Sequence, residues 1–224
     1  MPSDPLDQPA WRQPLPPQSR GRLRRERIVA AARDLIDAHG PHSPEVTIRS
    51  ISDRAHSSAA TIYHYFVDMD ALVATVTIEY MDTLIELVQT AIRDNENRAP
   101  SGLLDQLIAS YRDYFAAHPG LRELWFDQRA TPTVIEIHTF YRTTVAAMMR
   151  TAMAKYTETP GTELDHSAIL AMAGALWELA FSVAPEGDET IVKQIRQVMT
   201  DYWRRQFGVV VPLDAEDGQR DSAP

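Results

Sequence analysis

Within six residues, Thr61-Ile62-Tyr63-His64-Tyr65-Phe66, the sequence offers a hydroxyl, two phenols and an imidazole. About a dozen residues earlier, Thr47-Ile48-Arg49-Ser50-Ile51 adds two hydroxyls and a guanidinium. Upstream of both runs an arginine cluster, Arg20, Arg22, Arg24, Arg25 and Arg27, broken by Glu26. All of these groups can donate hydrogen bonds to anionic oxygen. A buried helix would not carry so many polar groups, and a surface helix would not need so many aromatics. A helix pressed against a phosphate backbone uses both.

Other chemistries find little support. There is no cysteine, so thiolate nucleophiles, thiolate metal sites and disulfides are excluded, which suits a reducing cytoplasm. Gly-X-Ser-X-Gly, a Gly-rich phosphate loop and His-Glu-X-X-His are all missing. The 7 histidines are scattered; His39 and His42 sit close but straddle Gly40-Pro41, a poor scaffold for a metal. The reading is therefore a protein that is not an enzyme and needs no metal or cofactor. The N-terminus shows no signal peptide, and no uninterrupted apolar run reaches the ~18 residues of a membrane span. The expectation is a soluble cytoplasmic chain with no membrane partner.

Charge is divided unevenly. The whole chain carries −9, but residues 1–66 hold 9 Arg against 7 Asp and Glu. The remainder holds 13 Lys and Arg against 24 acids. A small basic binding part on an acidic body is the pattern this implies.

The elements that must position these groups are helices. Residues 1–19 are proline-rich and read as a disordered arm, and residues 208–224 as a disordered tail containing one short β-like piece, Val209-Val210-Val211. Between them, apolar periodicity predicts nine helices. The first runs from about Arg20 to Ala38 and stops at Gly40; the second, capped by Thr47, ends near Ala55; the third, capped by Ser57 or Ser58, ends near Phe66. Six more follow, at about 70–94, 101–117, 119–128, 132–156, 163–183 and 188–207. The fold class is all-α: a three-helix helix-turn-helix domain over 20–66 and a six-helix body over 67–207.

In the second and third helices, Ile48, Ile51, Ala55, Ile62 and Phe66 point to a common core. Ser58, Ala59, Ala60, Thr61, Tyr63 and His64 are left outside. The second helix of such a unit enters the major groove with its N-terminal residues at the base edges. Ala59 and Ala60 allow close approach, and their methyls can meet thymine methyls. Thr61, Tyr63 and His64 suit phosphate oxygens, as does Thr47 at a helix start. Arg22, Arg24, Arg25 and Arg49 can track the backbone, and those before the first helix can enter a minor groove.

Residues 47–66, Thr-Ile-Arg-Ser-Ile-Ser-Asp-Arg-Ala-His-Ser-Ser-Ala-Ala-Thr-Ile-Tyr-His-Tyr-Phe, resemble the DNA-binding signature of TetR-type transcriptional repressors, and the helix count resembles that family over about 20–207. Two departures stand out. The family usually has glycine in the turn, where positive φ is easy; here it is His56. It often carries a lysine just after the Phe; here Met69 sits between Asp68 and Asp70.

The resemblance implies a homodimer through the last two long helices, bound to a palindromic double-stranded operator and released by a small, largely apolar effector. The alternative is a DNA-binding regulator without an effector, controlled by protein partners. For the dimer seam the sequence offers Ile191, Ile195, Val198 and Tyr202, widened by Val192, Met199 and Phe207. The small residues Ala171, Ala173, Gly174, Ala175 and Ala180 would allow close approach beside Ile169, Leu176 and Trp177. For an effector pocket the candidates are Tyr80, Tyr111, Phe115, Trp125, Phe126, His138, Tyr141, Met148, Trp177, Glu178 and Phe181, an apolar wall with a few polar groups.

Overall fold

The structure is a computed structural model; it describes residues 11, 19–96, 100–127 and 129–208. The proline-rich arm, apart from Trp11 and Ser19, and the tail beyond Gly208 lie outside the described residues, as does Val209-Val210-Val211. Among those described there are nine helices and no strand element. They are α1 (Ser19–His39), α2 (Ile48–Arg54), α3 (Ala59–Tyr65), α4 (Met69–Asp94), α5 (Pro100–Ala117), α6 (Pro119–Trp125), α7 (Pro132–Met153), α8 (Glu163–Val183) and α9 (Glu189–Phe207).

Helix ends follow local chemistry. Proline opens α5, α6 and α7, where a missing N–H costs nothing. Thr162 and Asp165 form a capping box on α8, and Asp188 caps α9 through Thr190 and Ile191 N–H groups. Gly40 and Gly208 end α1 and α9 with φ of 84° and 62°.

Packing divides the chain into two units, Met1–Met81 with His118–Thr139, and Asp82–Ala117 with Phe140–Pro224. Of the three dividing points, two fall inside α4 and α7 and one between α5 and α6. This partition differs from a cut at residue 67: the first half of α4, α6 and the start of α7 pack with the basic head.

In the first unit the core is Ile28, Val29, Ile36, Ile51, Ile62, Phe66, Leu72, Val76 and Leu121. α6 is fastened to α1 by polar contacts. Asp37 accepts from the Gly120 N–H at 2.8 Å and faces His118 at 3.4 Å. His42, just after α1, pairs with Asp127 at 2.6 Å. Asp127 is held below the ordinary carboxylate range: burial pushes it up, but the His42 hydrogen bond, the Arg129 N–H and both neighbouring charges outweigh that.

The second unit packs α9 against α8 and α5. Val192, Ile195, Met199, Trp203 and Phe207 are buried, and Phe207 stacks on His166 at 4.8 Å. This corrects part of the expected seam. Ile195, Val192, Met199 and Phe207 belong to the chain's own core, together with Trp203, while Ile191, Val198 and Tyr202 are half-buried. On α8, Ile169, Ala173, Trp177 and Ala180 face inward. The residues left outside are Leu164, Ala168, Ala171, Met172, Ala175, Glu178, Leu179, Ser182 and Val183, a single helical stripe. By length and composition α8 alone among the described helices could cross a membrane. Its apolarity is accounted for by two faces, one buried in its own unit and one exposed.

Candidate nucleic-acid interface

α2 and α3 are short, so their ends decide their geometry. Thr47 Oγ1 accepts from the Ser50 N–H at 3.1 Å, and Ser50 Oγ accepts from the Thr47 N–H at 3.0 Å, a reciprocal capping box. Ser58 caps α3, accepting from the Thr61 N–H at 3.1 Å, and its hydroxyl meets that of Thr61 at 2.8 Å. Between the helices the chain turns at His56, whose φ is +48°. It is the one non-glycine at positive φ among the described residues, and it occupies the position where glycine was expected.

The apolar side of this unit is buried as the pattern requires. Ile51 and Ile62 are 0% exposed and Phe66 1%. The opposite side is open. Thr47, Arg49, Ser58, Ala59, Ala60, Tyr63 and His64 are exposed, and Thr61 is half-buried beside Ser58. Tyr63 stands 56% exposed, which leaves its hydroxyl free to reach a phosphate oxygen. The His64 ring meets Tyr65 edge-on at 5.0 Å, which steadies both. Arg22 and Arg24 are exposed; Arg22 pairs with Glu26 at 3.4 Å.

Two features alter the electrostatics expected of this face. Arg25 is not on it: the side chain is 9% exposed and its guanidinium lies over the Phe66 ring, 5.1 Å from the centroid. Its helical neighbours gave no sign of this, because an arginine run reads as solvated from sequence. At the start of α4, Asp68 accepts from the Ala71 N–H at 2.8 Å. The anion-favouring end of that helix already holds a carboxylate of its own chain.

The eleven pocket candidates do not fall into one unit. Tyr80, Trp125, Phe126 and His138 pack with the head. There Tyr80 meets His118 at 5.5 Å and Trp125 meets His138 at 5.5 Å. Tyr111, Phe115, Tyr141, Met148, Trp177, Glu178 and Phe181 belong to the second unit. Phe115, Trp177 and Phe181 form an aromatic cluster with centroids 5.8–6.2 Å apart. Tyr111 extends it at 6.1 Å from Phe115, and its hydroxyl hydrogen-bonds that of Tyr141. Burial pushes Tyr111 up to about 12, against the lowering effect of the Tyr141 hydrogen bond. Burial, helped by Tyr111 and Tyr114, raises Tyr141 well above its ordinary value. Both phenols stay neutral. Met148 is half-buried. Glu178 is exposed on α8.

A capped helix-turn-helix beside a larger helical unit is an arrangement found in helix-turn-helix transcriptional regulators. The profile of bacterial regulatory proteins of the tetR family matches residues 28–76, and that of the tetracyclin repressor-like C-terminal domain matches residues 98–207. The chain belongs to the TetR family. No curated protein sequence matches it. Among solved structures it is similar to a TetR-family transcriptional regulator from Streptomyces coelicolor, with a TM-score of 0.59 at 20% identity over 81% of this chain and 98% of that one. A regulator from Mesorhizobium loti gives 0.69 at 14% identity, over 86% and 100%. FadR from Bacillus subtilis, solved with stearoyl-CoA, gives 0.58 at 17% identity, over 79% and 96%. At these identities the likeness is one of fold.

Proposed function

We propose that the protein is a homodimeric repressor that reads a palindromic operator in the major groove and is released by a small, largely apolar effector. One observation carries the reading: the N-terminal end of α3 is open to solvent and small at Ala59 and Ala60, and hydrogen-bonding groups at Thr47, Arg49, Tyr63 and His64 of the same two-helix unit are exposed. Small residues admit the helix to the groove, and the exposed groups take phosphates. Arg22 and Arg24, exposed on α1, add positive charge to the same unit.

The exposed stripe on α8 supports the dimer. Leu179 and Val183 are 48% and 60% exposed, and a Cβ built on Gly174 meets nothing within 4 Å. The second unit's cluster supports the effector class. Five aromatic side chains, two of them neutral phenols, fit an apolar molecule with one or two hydrogen-bonding atoms. The fold shared with FadR, solved with stearoyl-CoA, fits a ligand with a long apolar part. Release follows from linkage: an effector that prefers the DNA-incompetent state ~100-fold supplies about 2.7 kcal/mol of coupling.

The test is selection of duplexes from a random pool by the full-length protein. The enriched sequence should be palindromic, with half-sites ~34–36 Å apart or a multiple of that. No enrichment would remove the reading.

A further inference from the structure

Among the arginines at the start of α1, Arg20, Arg22, Arg24 and Arg27 are exposed while Arg25 is buried. Taking a guanidinium out of water is costly unless specific contacts replace the lost hydration. Arg25 has two. Its guanidinium lies over the ring of Phe66, the residue that closes α3 and is itself 1% exposed. Burial lowers its pKa, and the carboxylates of Glu79 on α4 and Glu26 oppose that fall. Glu79 also holds Arg33 of α1, at 3.2 Å. One side chain of α1 thus meets the end of α3 beside a carboxylate of α4.

We propose that Arg25 is a positioning residue for the recognition helix: it touches no DNA, and through Phe66 it sets the angle at which α3 presents Ala59 and Ala60. The inference rests on the DNA-reading function above. α3 has seven residues, too few to hold its own shape or direction. Its attachments are Ile62 in the middle and Phe66 at the end, whose N–H donates to Ile62 O at 2.9 Å. A helix of this length is about 10 Å long, so a tilt of about 10° at Phe66 swings the far end by roughly 2 Å. That displacement is larger than a base-edge contact tolerates. Contacts to phosphate by long side chains such as Arg22 and Arg24 follow such a movement; contacts by alanine methyls do not. Losing Arg25 therefore costs sequence discrimination and leaves the electrostatic grip in place.

The experiment uses the full-length protein, the duplex it selects and a scrambled duplex of the same composition. Arg25→Met keeps the packing volume and removes the cation. It should weaken binding to the selected duplex about tenfold, a cation–π loss at a desolvated site. Binding to the scrambled duplex should stay within about twofold, and the salt slope should be unchanged, since no phosphate contact is lost. Arg25→Lys, which restores a cation over the ring, should recover most of the affinity. Phe66→Leu removes the ring and leaves the cation. It should give the same loss, and in the double variant the two losses should not add.

A salt slope reduced by about one per subunit in Arg25→Met would instead make Arg25 a phosphate contact. An unchanged ratio of selected to scrambled affinity, or losses that add, would reduce it to packing. Each of these results overturns the proposal while the DNA-reading function stands. Failure of the wild type to enrich any duplex overturns the function itself.

Discussion

Two helical faces among the described residues are open to solvent and made of opposite materials. The open face of α3 carries hydroxyls, an imidazole and alanine methyls over a two-residue apolar anchor. The open face of α8 carries Leu164, Met172, Leu179 and Val183, with Glu178 and Ser182 as its polar members. Water tolerates the first indefinitely. The second loses about 25 cal/mol for each Å² of apolar surface left wet. One face is built to exchange its cover, the other to keep it. The proposed function uses both: a contact with DNA that salt and effector would reverse, and a contact between subunits that would survive the release.

The sharpest way to break this contrast is to give α8 the chemistry of α3. Leu179→Glu should turn the dimer into monomers and, by uncoupling two half-site contacts, reduce operator affinity on the order of 100-fold or more. Sedimentation equilibrium and titration with the selected duplex read both effects. A variant that stays dimeric at nanomolar concentration would place the subunit seam elsewhere.

Smaller effects are expected on α2 and α3. Tyr63→Phe should weaken binding to selected and scrambled duplexes alike, roughly tenfold, with no change in salt slope, because a neutral hydroxyl displaces no counterion. Arg49→Gln should reduce that slope by about 0.9 for each subunit if the guanidinium meets phosphate. Fluorescence anisotropy at several salt concentrations separates the two. Equal slopes in wild type and Arg49→Gln would take Arg49 off the phosphates.

Asp68→Asn tests the start of α4. Asparagine keeps the cap and removes a charge, so DNA affinity should rise about two- to threefold at low salt, and the gain should fade as salt is added. No change at low salt would mean that this helix end lies too far from the phosphates to matter.

The least expected effect concerns the foot of α8, where His166 is 0% exposed and its Nε2–H donates to Pro160 O at 3.0 Å. Burial, aided by Arg150, holds its pKa below 6.5 against the opposing influence of Pro160 O and Asp165. A buried neutral histidine must charge when the chain unfolds in acid. Its contribution to stability is therefore complete above 6.5 and is lost as pH falls from there toward the depressed folded value. The melting temperature should decline over that window in the wild type and decline less in His166→Asn. Parallel curves would exclude the linkage.

How legible these regions were in sequence depended on the range of the forces involved. Thr47, Ser58, Gly40 and the turn at His56 were readable because caps and turns are settled within a few residues. The direction of Ile62 and Phe66 followed from helical period. Arg25 was not readable, since what buries it is a ring some forty residues away, and its neighbours in the run all face water. Trp203 escaped notice in α9 because two apolar stripes share that helix, and only the fold shows which one is inside. The side of Glu178 was hidden for the same reason: on α8, interior and exterior faces are both apolar, so the sequence does not show that this carboxylate sits on the outer one. The pocket candidates suffered most, because aromatic side chains look alike in sequence whether they pack or line a space.

Gly174 and the absence of cysteine have a joint consequence for spectroscopy. A Cβ placed at Gly174 meets no packed neighbour within 4 Å, and the chain offers no competing thiol. A single thiol introduced there would be the protein's sole reactive sulfur, on α8 beside the uncovered stripe. Labelled with a nitroxide, it would turn the proposed dimer into a ruler between two copies of α8, read without altering any residue of α2 or α3.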